Sequence, residues 1–338
     1  MISPNHQSIR FPDILLSLLP AILCGCSPNV LPEDDYQTWN SSKSLTSCFI
    51  YSTIPSDGST LDILTFENDL FQRLDSYKRF ETDSNGIAAV ESTAGEKIFF
   101  FCKNGQRARY DWVDIQSYSS LYKIRCDIEN EQKDRLTMTG ECRAEAGSLS
   151  NELILTPLVS KVTLSSISCD FSGTPYAGKT IDAPKIYLTN VNATYPLLDE
   201  EHQASERIIN AGMLNYADMK KFLTPDIICR EIECSIGNAR LQPEISLLCY
   251  PNYSTEESPG TPRTRLVIEG TVDSVRYYWP ITVNAEGDGI ARNCIYNYDI
   301  HIRRKGMSDP DIPIEPKDIE TNMKICKWKE IDEYEVTF

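Results

Sequence analysis

Two cysteines near the N-terminus are the residues whose spacing most directly suggests chemistry. Cys24 and Cys26 lie near the end of the stretch LLPAILCGCS and are separated by a single glycine. Two thiols this close could form a redox pair or contribute to a metal site, and a single thiol could instead be a point of covalent attachment. Each of these chemistries requires a different cellular compartment.

The segment ahead of these cysteines favours attachment. Phe11 to Leu23 is apolar but contains two prolines and an aspartate, so it is too short and too interrupted to span a bilayer. Its length is typical of the apolar region of a secretory signal. Leu23 and Gly25 ahead of Cys26 resemble a bacterial lipoprotein signal, in which the small residue gives a peptidase access to the bond. A disordered leader or a buried helix is the alternative.

We therefore expect residues 1–25 to be a signal peptide and Cys26 to carry a lipid such as palmitate. Several acyl chains on one cysteine hold a soluble domain to a membrane, since each buried methylene contributes about 0.8 kcal/mol. Ser27 to Asp35 is polar, acidic and contains proline, as a flexible tether would be. The expected location is the outer membrane and the cell surface.

Other motifs that carry chemistry are missing from the sequence. It has three histidines, none of them in a nucleophile signature, and it has no P-loop, GxSxG or CxxC motif. The carboxylates of Asp309 and Asp311 flank a proline and lack the glycine of a calcium loop. We predict no catalytic residues, no cofactor and no metal, and thus no enzyme. The net charge of −16 also argues against nucleic acid as a partner.

The composition predicts a mainly β protein. Aromatic and β-branched runs alternate with turn residues, and the chain has 17 tyrosines, 19 prolines and 16 glycines. We predict two tandem antiparallel β-sandwich domains, 26–156 and 157–338. A short helix is expected in the second domain between Glu200 and Leu223, where apolar residues recur at near-helical spacing (Ile209, Met213, Tyr216 and Phe222). The ten cysteines after Cys26 could pair in an oxidising compartment, but burial as small apolar residues is favoured.

The sequence predicts eleven strands ahead of the C-terminal segment. One of them, from Ile295 to Ile302, alternates so cleanly that Tyr296, Tyr298, Ile300 and Ile302 must share one face. The others are Leu45–Ile54, Leu61–Phe66, Lys97–Cys102, Leu121–Cys126, Arg135–Gly140, Leu158–Phe171, Pro184–Ala193, Ile245–Tyr250, Arg263–Gly270 and Val275–Val283.

The C-terminal segment Asn322–Phe338 predicts two further strands, separated by Lys329 to Glu333. Tyr334, Val336 and Phe338 share one face of the second strand. Such a terminal strand can fold back on its own domain or complete the sheet of another subunit, where it gains main-chain hydrogen bonds along an open edge. This makes it a candidate donor strand.

The sequence also resembles the Bacteroidales fimbrial subunits of the FimA/Mfa type and their anchor and accessory relatives. The similarity is most specific at Arg292, Asn293 and Tyr296 in RNCIY, and it continues through Gly306 to the tryptophan-bearing strand with Trp328. Weaker similarities occur in the expected order along the chain. They lie in Ile63–Leu74, Leu136–Glu141, Pro157–Ser168 and Ile186–Ala193.

This resemblance implies a structural or adhesive subunit of a fimbrium (pilus), assembled with other fimbrial subunits by β-strand exchange. In stalk subunits of the family, a protease specific for arginine or lysine removes the lipidated segment and the first strand. Between Cys26 and Leu61 the only basic residue of this chain is Lys43, which precedes the predicted first strand. A cut at Lys43 would leave that strand in place, so an anchor or accessory role is favoured. The alternative is a non-polymerising surface lipoprotein that binds a glycan or a host protein. A host or bacterial surface ligand is possible in either case.

Overall fold

The computed structural model consists mainly of β-strands in the residues that it describes. It describes residues 45–52, 60–81, 87–93, 95–104, 112–145, 153–199, 202, 205, 207–210, 228–254, 262–312, 314, 318–327 and 335–337. The strands are β1 Leu45–Ser52, β2 Thr60–Glu67, β3 Leu74–Glu81, β4 Ile87–Thr93, β5 Glu96–Lys103, β6 Arg125–Asp127, β7 Met138–Glu145, β8 Leu153–Ile154, β9 Thr156–Pro157, β10 Ser160–Cys169, β11 Asp182–Thr189, β12 Val191–Asn192, β13 Thr194–Pro196, β14 Ile208–Ile209, β15 Cys229–Glu231, β16 Ile245–Cys249, β17 Arg265–Val272, β18 Val275–Thr282, β19 Cys294–Ile302, β20 Ile319–Lys327 and β21 Glu335–Thr337. Among the described residues, short 3₁₀ helices span Trp112–Asp114, Tyr118–Lys123 and Ile128–Asn130.

Two four-stranded sheets enclose the larger hydrophobic core. One has the order β16-β10-β19-β20 and the other the order β15-β11-β17-β18. Residues of both sheets, from Val162 to Ile319, form a single buried cluster around Trp279. On β19, Tyr296, Tyr298 and Ile300 are buried and alternate with half-buried polar residues. The predicted alternation is therefore confirmed, because only one face of this sheet lies against the core.

One strand pair in this sandwich is parallel. β10 runs parallel to β19, with Val162 opposite Tyr296 in register. Both neighbours of this pair, β16 and β20, are antiparallel to it. The sandwich is therefore mainly antiparallel, as predicted, with one parallel pair at its centre. A parallel pair needs a long crossover connection, and the chain between β10 and β19 supplies the whole facing sheet.

The N-terminal part of the chain forms a five-stranded sheet with the order β3-β2-β5-β7-β9 and, together with β21 from the C-terminal end, a four-stranded sheet with the order β4-β1-β21-β8. The centre of the first sheet is β5, in which every residue from Lys97 to Lys103 is buried. Its run Ile-Phe-Phe-Phe-Cys has no alternation because both faces of a central strand are covered. The buried Lys97 ammonium makes ion pairs with the carboxylates of Glu67 and Asp75.

A second hydrophobic core lies against this sheet and draws on both halves of the chain. Phe66 and Phe100 come from the N-terminal half, whereas Tyr195, Leu248 and Tyr250 come from the C-terminal half. The strand pair β6 and β13 also joins the halves, with Cys126 opposite Tyr195. The predicted domain boundary at Pro157 stays a prediction, since residues on its two sides share this core.

Two predicted elements differ from the structure. Ile209, expected in a helix, lies in β14 and pairs with Val191. The rest of that predicted helix falls mainly outside the described residues. The predicted strand Leu121–Cys126 begins instead as a 3₁₀ helix, because Tyr118 and Leu121, three residues apart, are both buried in the core. Within the described part of the chain, no helix is long and apolar enough to cross a membrane.

Candidate functional site

The C-terminal strand lies inside the N-terminal sheet. Val336 of β21 is opposite Ser52 of β1 on one side and opposite Leu153 of β8 on the other. Both pairings are antiparallel, and among the described strands β21 is the one that joins β8 to β1. The predicted C-terminal strand thus completes a sheet built from the opposite end of the same chain.

The first strand keeps its own place in this sheet. β1 pairs with β4 over seven residues, from Leu45 opposite Thr93 to Tyr51 opposite Ile87. Among the described residues, β21 pairs in register with the last two residues of β1, Tyr51 and Ser52. The position that β21 occupies therefore lies beside β1 and is separate from the pairing of β1 with β4.

Arg292 connects the two halves of the chain at the five-stranded sheet. Its guanidinium donates to the carbonyl oxygens of Pro157 at 2.9 Å and Thr156 at 2.6 Å. It also donates to the hydroxyl oxygen of Thr139 at 2.8 Å and to the Thr139 carbonyl at 3.3 Å. These acceptors belong to β7 and β9, and all of them are neutral oxygens. Burial lowers the pKa of the Arg292 guanidinium, because desolvation penalises its charge.

The two other residues of this motif shape the turn before β19. Asn293 has a φ of +57°, a left-handed conformation that asparagine tolerates better than most residues, and its N–H donates to the Val159 carbonyl at 3.3 Å. The Tyr296 hydroxyl accepts a hydrogen bond from the Ala291 N–H at 2.8 Å and donates to the Gly289 carbonyl at 3.3 Å. Together these contacts of Asn293 and Tyr296 fix the turn that carries Arg292.

Gly306 allows a close approach of two backbone segments. A Cβ atom at this position would lie 2.9 Å from Cδ2 of the buried Trp279 ring and still closer to the Tyr278 carbonyl oxygen. Tyr278 and Met307 exchange two backbone hydrogen bonds of 2.9 and 2.7 Å beside it. Only glycine fits here without displacing backbone atoms.

The remaining predicted site residues fall outside the described part of the chain. These are Leu23, Gly25, Cys26, Trp328, Tyr334 and Phe338, so the lipidation site and most of the shared apolar face of the donor strand stay predictions. Elsewhere, the described residues contain no group of three or more His, Cys, Asp or Glu side chains placed to hold a metal.

Some residues that connect the two halves of the chain could not be found from the sequence. Tyr250 donates from its hydroxyl to Glu131 Oε1 at 2.9 Å, and both residues are buried. Glu131 Oε2 accepts a second hydrogen bond of 2.8 Å from the N–H of Thr137. A buried carboxylate far along the chain from its tyrosine leaves no local signal. Thr139 and Thr156 were missed because most of their contacts to Arg292 use carbonyl oxygens, which any residue supplies.

Solved structures share this architecture. No protein-family model and no curated protein matches the sequence. A candidate cell adhesion protein from Bacteroides eggerthii superimposes with a TM-score of 0.59 at 14% identity, covering 80% of this chain and 89% of that chain. A fimbrilin (FimA) from Porphyromonas gingivalis gives 0.56 at 13% identity, covering 85% of this chain and 93% of that one.

The fold is one that fimbrilins have. The tip fimbrial protein Mfa3 from Porphyromonas gingivalis, with a C-terminal truncation, has a TM-score of 0.51 at 13% identity and covers 83% of this chain and 100% of its own. At such identities the similarity concerns the fold, and it agrees with the mainly β, double-sandwich architecture predicted above.

Proposed function

We propose that this protein is a structural or adhesive subunit of surface fimbriae, exported as an outer-membrane lipoprotein and assembled by β-strand exchange. The observation that carries the proposal is the place of β21 between β1 and β8. A strand held there by a few hydrogen bonds can be replaced by the same strand of another subunit, which makes identical main-chain contacts. The fold shared with a fimbrilin and a tip fimbrial protein supports this role.

We also propose an anchor or accessory position, which the same geometry supports. Since β1 pairs with β4 independently of β21, exchange of β21 requires no proteolytic removal of β1. This agrees with the sequence, in which Lys43 is the one basic residue between Cys26 and Leu61. We propose that the lipid on Cys26 is retained and that the subunit stays bound to the membrane while it accepts or donates a strand.

The occupied sheet also favours a second candidate function. A strand that remains in its own chain gives a self-complete molecule, which would act as a non-polymerising surface lipoprotein that binds a glycan or a host protein. The two candidates differ in whether β21 leaves its own sheet.

The test compares surface material from cells that produce wild type, a deletion of residues 335–338, Val336→Pro and the control Val336→Thr. Proline removes the backbone N–H and breaks strand pairing, whereas threonine keeps both. We expect wild type and Val336→Thr in high-molecular-weight assemblies, and the deletion and Val336→Pro as monomers. Assembly that survives the deletion would contradict strand donation from this end. Monomeric wild type with intact glycan or host-protein binding would favour the second candidate.

A separate labelling experiment tests the attachment. Cells fed a fatty-acid analogue should label wild type and Cys24→Ala but not Cys26→Ala. Mass spectrometry of the mature N-terminus should find a blocked, lipidated Cys26. Equal labelling of the two variants, or a free N-terminus after a basic residue, would contradict a retained lipid on Cys26.

A further inference from the structure

The turn between β2 and β3 presents two apolar side chains to solvent. Leu70 is 91% exposed and Phe71 is 63% exposed, the two highest values among the large hydrophobic residues that the structure describes. The Arg73 guanidinium lies 5.3 Å from the centre of the Phe71 ring and makes no ion pair with any described residue. The Leu70–Phe71 turn is thus an apolar tip with a positive charge beside it.

This tip is held in place by its base. The Asp69 carboxylate accepts hydrogen bonds from the N–H groups of Phe71 at 2.9 Å and Gln72 at 2.7 Å. The Gln72 carbonyl accepts from the Tyr118 N–H at 2.9 Å, and the Leu74 N–H donates to the Gln116 carbonyl at 2.9 Å. A tip fixed in this way loses little conformational entropy when it binds, so its exposed side chains are suited to insertion into a partner.

A groove of about 780 Å³ lies at the open side of the C-terminal sandwich. Its walls come from the edge strands β18 and β20 of the two facing sheets, with Ile281, Ile319 and Met323 among its apolar lining. Ile325 is on the core-facing side of β20, opposite the buried Tyr296, and yet is 49% exposed. The core face of β20 is therefore incompletely covered.

Charge distinguishes this groove as a receiver for the tip. Glu286 lines it, is exposed, and makes no ion pair with any described residue, whereas the other glutamate of the lining, Glu320, is already paired with Arg303. An unpaired carboxylate beside this groove, whose lining is partly apolar and partly polar, complements an unpaired guanidinium beside an apolar tip. The net charge of −16 opposes the approach of the tip to an anionic membrane surface.

The tip lies near the start of β5 and the groove lies toward the end of β19, so each is distant along its own strand from the residues around Arg292. Arg292 contacts Thr139, which is opposite Cys102 on β5, whereas the tip is bonded to the other end of β5 through Asn68 and Glu96, about 20 Å away along the strand. On β19, the groove lies toward Ile302, up to about 26 Å along the strand from Cys294 near Arg292. A tip and a groove on different surfaces make a heterologous contact, which propagates head to tail.

We propose that the Leu70–Phe71 turn of one copy docks in the β18–β20 groove of a second copy of this chain, with Arg73 paired to Glu286. Two side chains are a small contact, well below the roughly 1,200–2,000 Å² of a stable interface. The contact therefore acts together with strand exchange, which it keeps in register, and in this respect it rests on the proposed function.

Charge reversal in the full chain tests the pairing. Arg73→Glu and Glu286→Arg should each lower the apparent association constant of the assemblies, measured by sedimentation, and the double reversal should restore it to within about twofold. Phe71→Ala should lower it by on the order of tenfold, the effect of about 1.4 kcal/mol. Val275→Ala, at a 52% exposed residue outside the groove, is the matched control and should have no effect. A double reversal that is additive rather than compensating would overturn the pairing.

A cross-link identifies the occupant directly. A photo-reactive phenylalanine at position 71, in a mixture of ¹⁴N- and ¹⁵N-labelled copies, should form mixed-isotope cross-links to peptides containing residues 280–286 or 319–323. Cross-links within one copy or to other peptides would overturn the docking. Co-sedimentation of the protein with anionic phospholipid vesicles would also overturn it, if Phe71→Ala abolishes that binding. Assemblies that persist with β21 exchange but without this cross-link leave the proposed function intact. Absence of any wild-type assembly would overturn both.

Discussion

The Arg292 guanidinium lies 2.8 Å from the hydroxyl oxygen of Thr139, although 153 residues separate the two along the chain. This contact and the carbonyl contacts to Thr156 and Pro157 place one arginine against the residues at the predicted boundary between the two halves. Burial disfavours its charge, and neutral acceptors compensate by hydrogen bonding alone. Arg292 therefore has a structural role: the N–H donors of its planar guanidinium bond several carbonyl oxygens at once and link the two halves.

Replacement of Arg292 by lysine should destabilise the protein strongly. An ammonium cannot reach the same set of acceptors, so at least one buried carbonyl loses its partner and a buried charge loses donors. We expect the free energy of unfolding in urea to fall by about 2–4 kcal/mol. Arg303→Lys, at an exposed ion pair with Glu320, is the control and should cost less than about 1 kcal/mol. Equal losses of unfolding free energy in the two variants would contradict this structural role of Arg292.

The strands were predictable where one face or both faces of a strand are buried. The alternation of β19 predicts burial of one face, and the unbroken apolar run of β5 predicts burial of both faces. Both strands begin and end within a residue or two of their predicted bounds. The 3₁₀ helix at Tyr118–Lys123 was missed because its two buried residues are three apart, a spacing that a short strand-like segment obscures.

Pairing partners could not be predicted from local pattern. That Asn322–Phe338 forms two strands follows from its own alternation, but the insertion of β21 between β1 and β8 depends on residues more than 180 positions away. Likewise, Arg292 was singled out by resemblance, whereas its acceptors are main-chain atoms with no sequence signature. Long-range register is set by the assembled sheets rather than by any one segment.

Deletion of residues 335–338 should expose β8. Among the described strands, β8 pairs only with β21, so Leu153 and Ile154 lose their sheet partner in the deleted chain. Hydrogen–deuterium exchange read by mass spectrometry should accelerate by about tenfold or more in peptides covering β8, which corresponds to a local loss of about 1.4 kcal/mol. Peptides covering β19 are the internal control. Unchanged exchange in β8 would mean that β21 does not hold it.

Gly306→Ala should cost about 1–3 kcal/mol in the free energy of unfolding. The added methyl group would meet the Tyr278 backbone and the buried Trp279 ring, and backbone atoms cannot move aside as a flexible side chain can. Gly237→Ala is the matched control, because its Cβ would lie 3.5 Å from Cγ2 of Thr180, an ordinary contact. Urea titration of both variants checks the difference, and a neutral Gly306→Ala would show that this approach is looser.

Buried and exposed cysteines should differ in reactivity. Burial raises the pKa of the Cys249 thiol to about 12 and that of Cys169 to about 11, so the reactive thiolate is scarce near pH 8. Cys234 and Cys326 are exposed. In the native protein a maleimide at pH 8 should label Cys234 and Cys326 within minutes and Cys249 only after unfolding, as peptide mapping would show. Rapid native labelling of Cys249 would contradict its burial.

The same raised pKa values predict a stability that falls in alkaline solution. Folded Cys249 and Cys169 keep their protons above pH 9, whereas the unfolded thiols lose theirs, so the native state binds more protons and the free energy of unfolding decreases as pH rises. Each thiol contributes a slope of up to about 1.4 kcal/mol per pH unit between the two pKa values. Urea unfolding of wild type and Cys249→Ala from pH 8 to 11 should give a shallower slope for the variant. Parallel slopes would contradict this linkage.

Tyr250 and Glu131 should be energetically coupled across the two halves of the chain. The hydroxyl of Tyr250 lies 2.9 Å from Glu131 Oε1 with both residues buried, so Tyr250→Phe leaves a carboxylate oxygen short of a donor at a cost of about 1.5–3 kcal/mol. Glu131→Gln weakens the same bond from the other side. In a double-mutant cycle read by urea unfolding, the coupling energy should exceed about 1 kcal/mol, because the second change removes little once the first is made. The exposed pair Lys179 and Asp273, 2.9 Å apart, is the control cycle and should couple by less than that. Additive single changes at Tyr250 and Glu131 would mean that the halves are held together by the apolar contacts around Tyr195 and by Arg292, without this hydrogen bond.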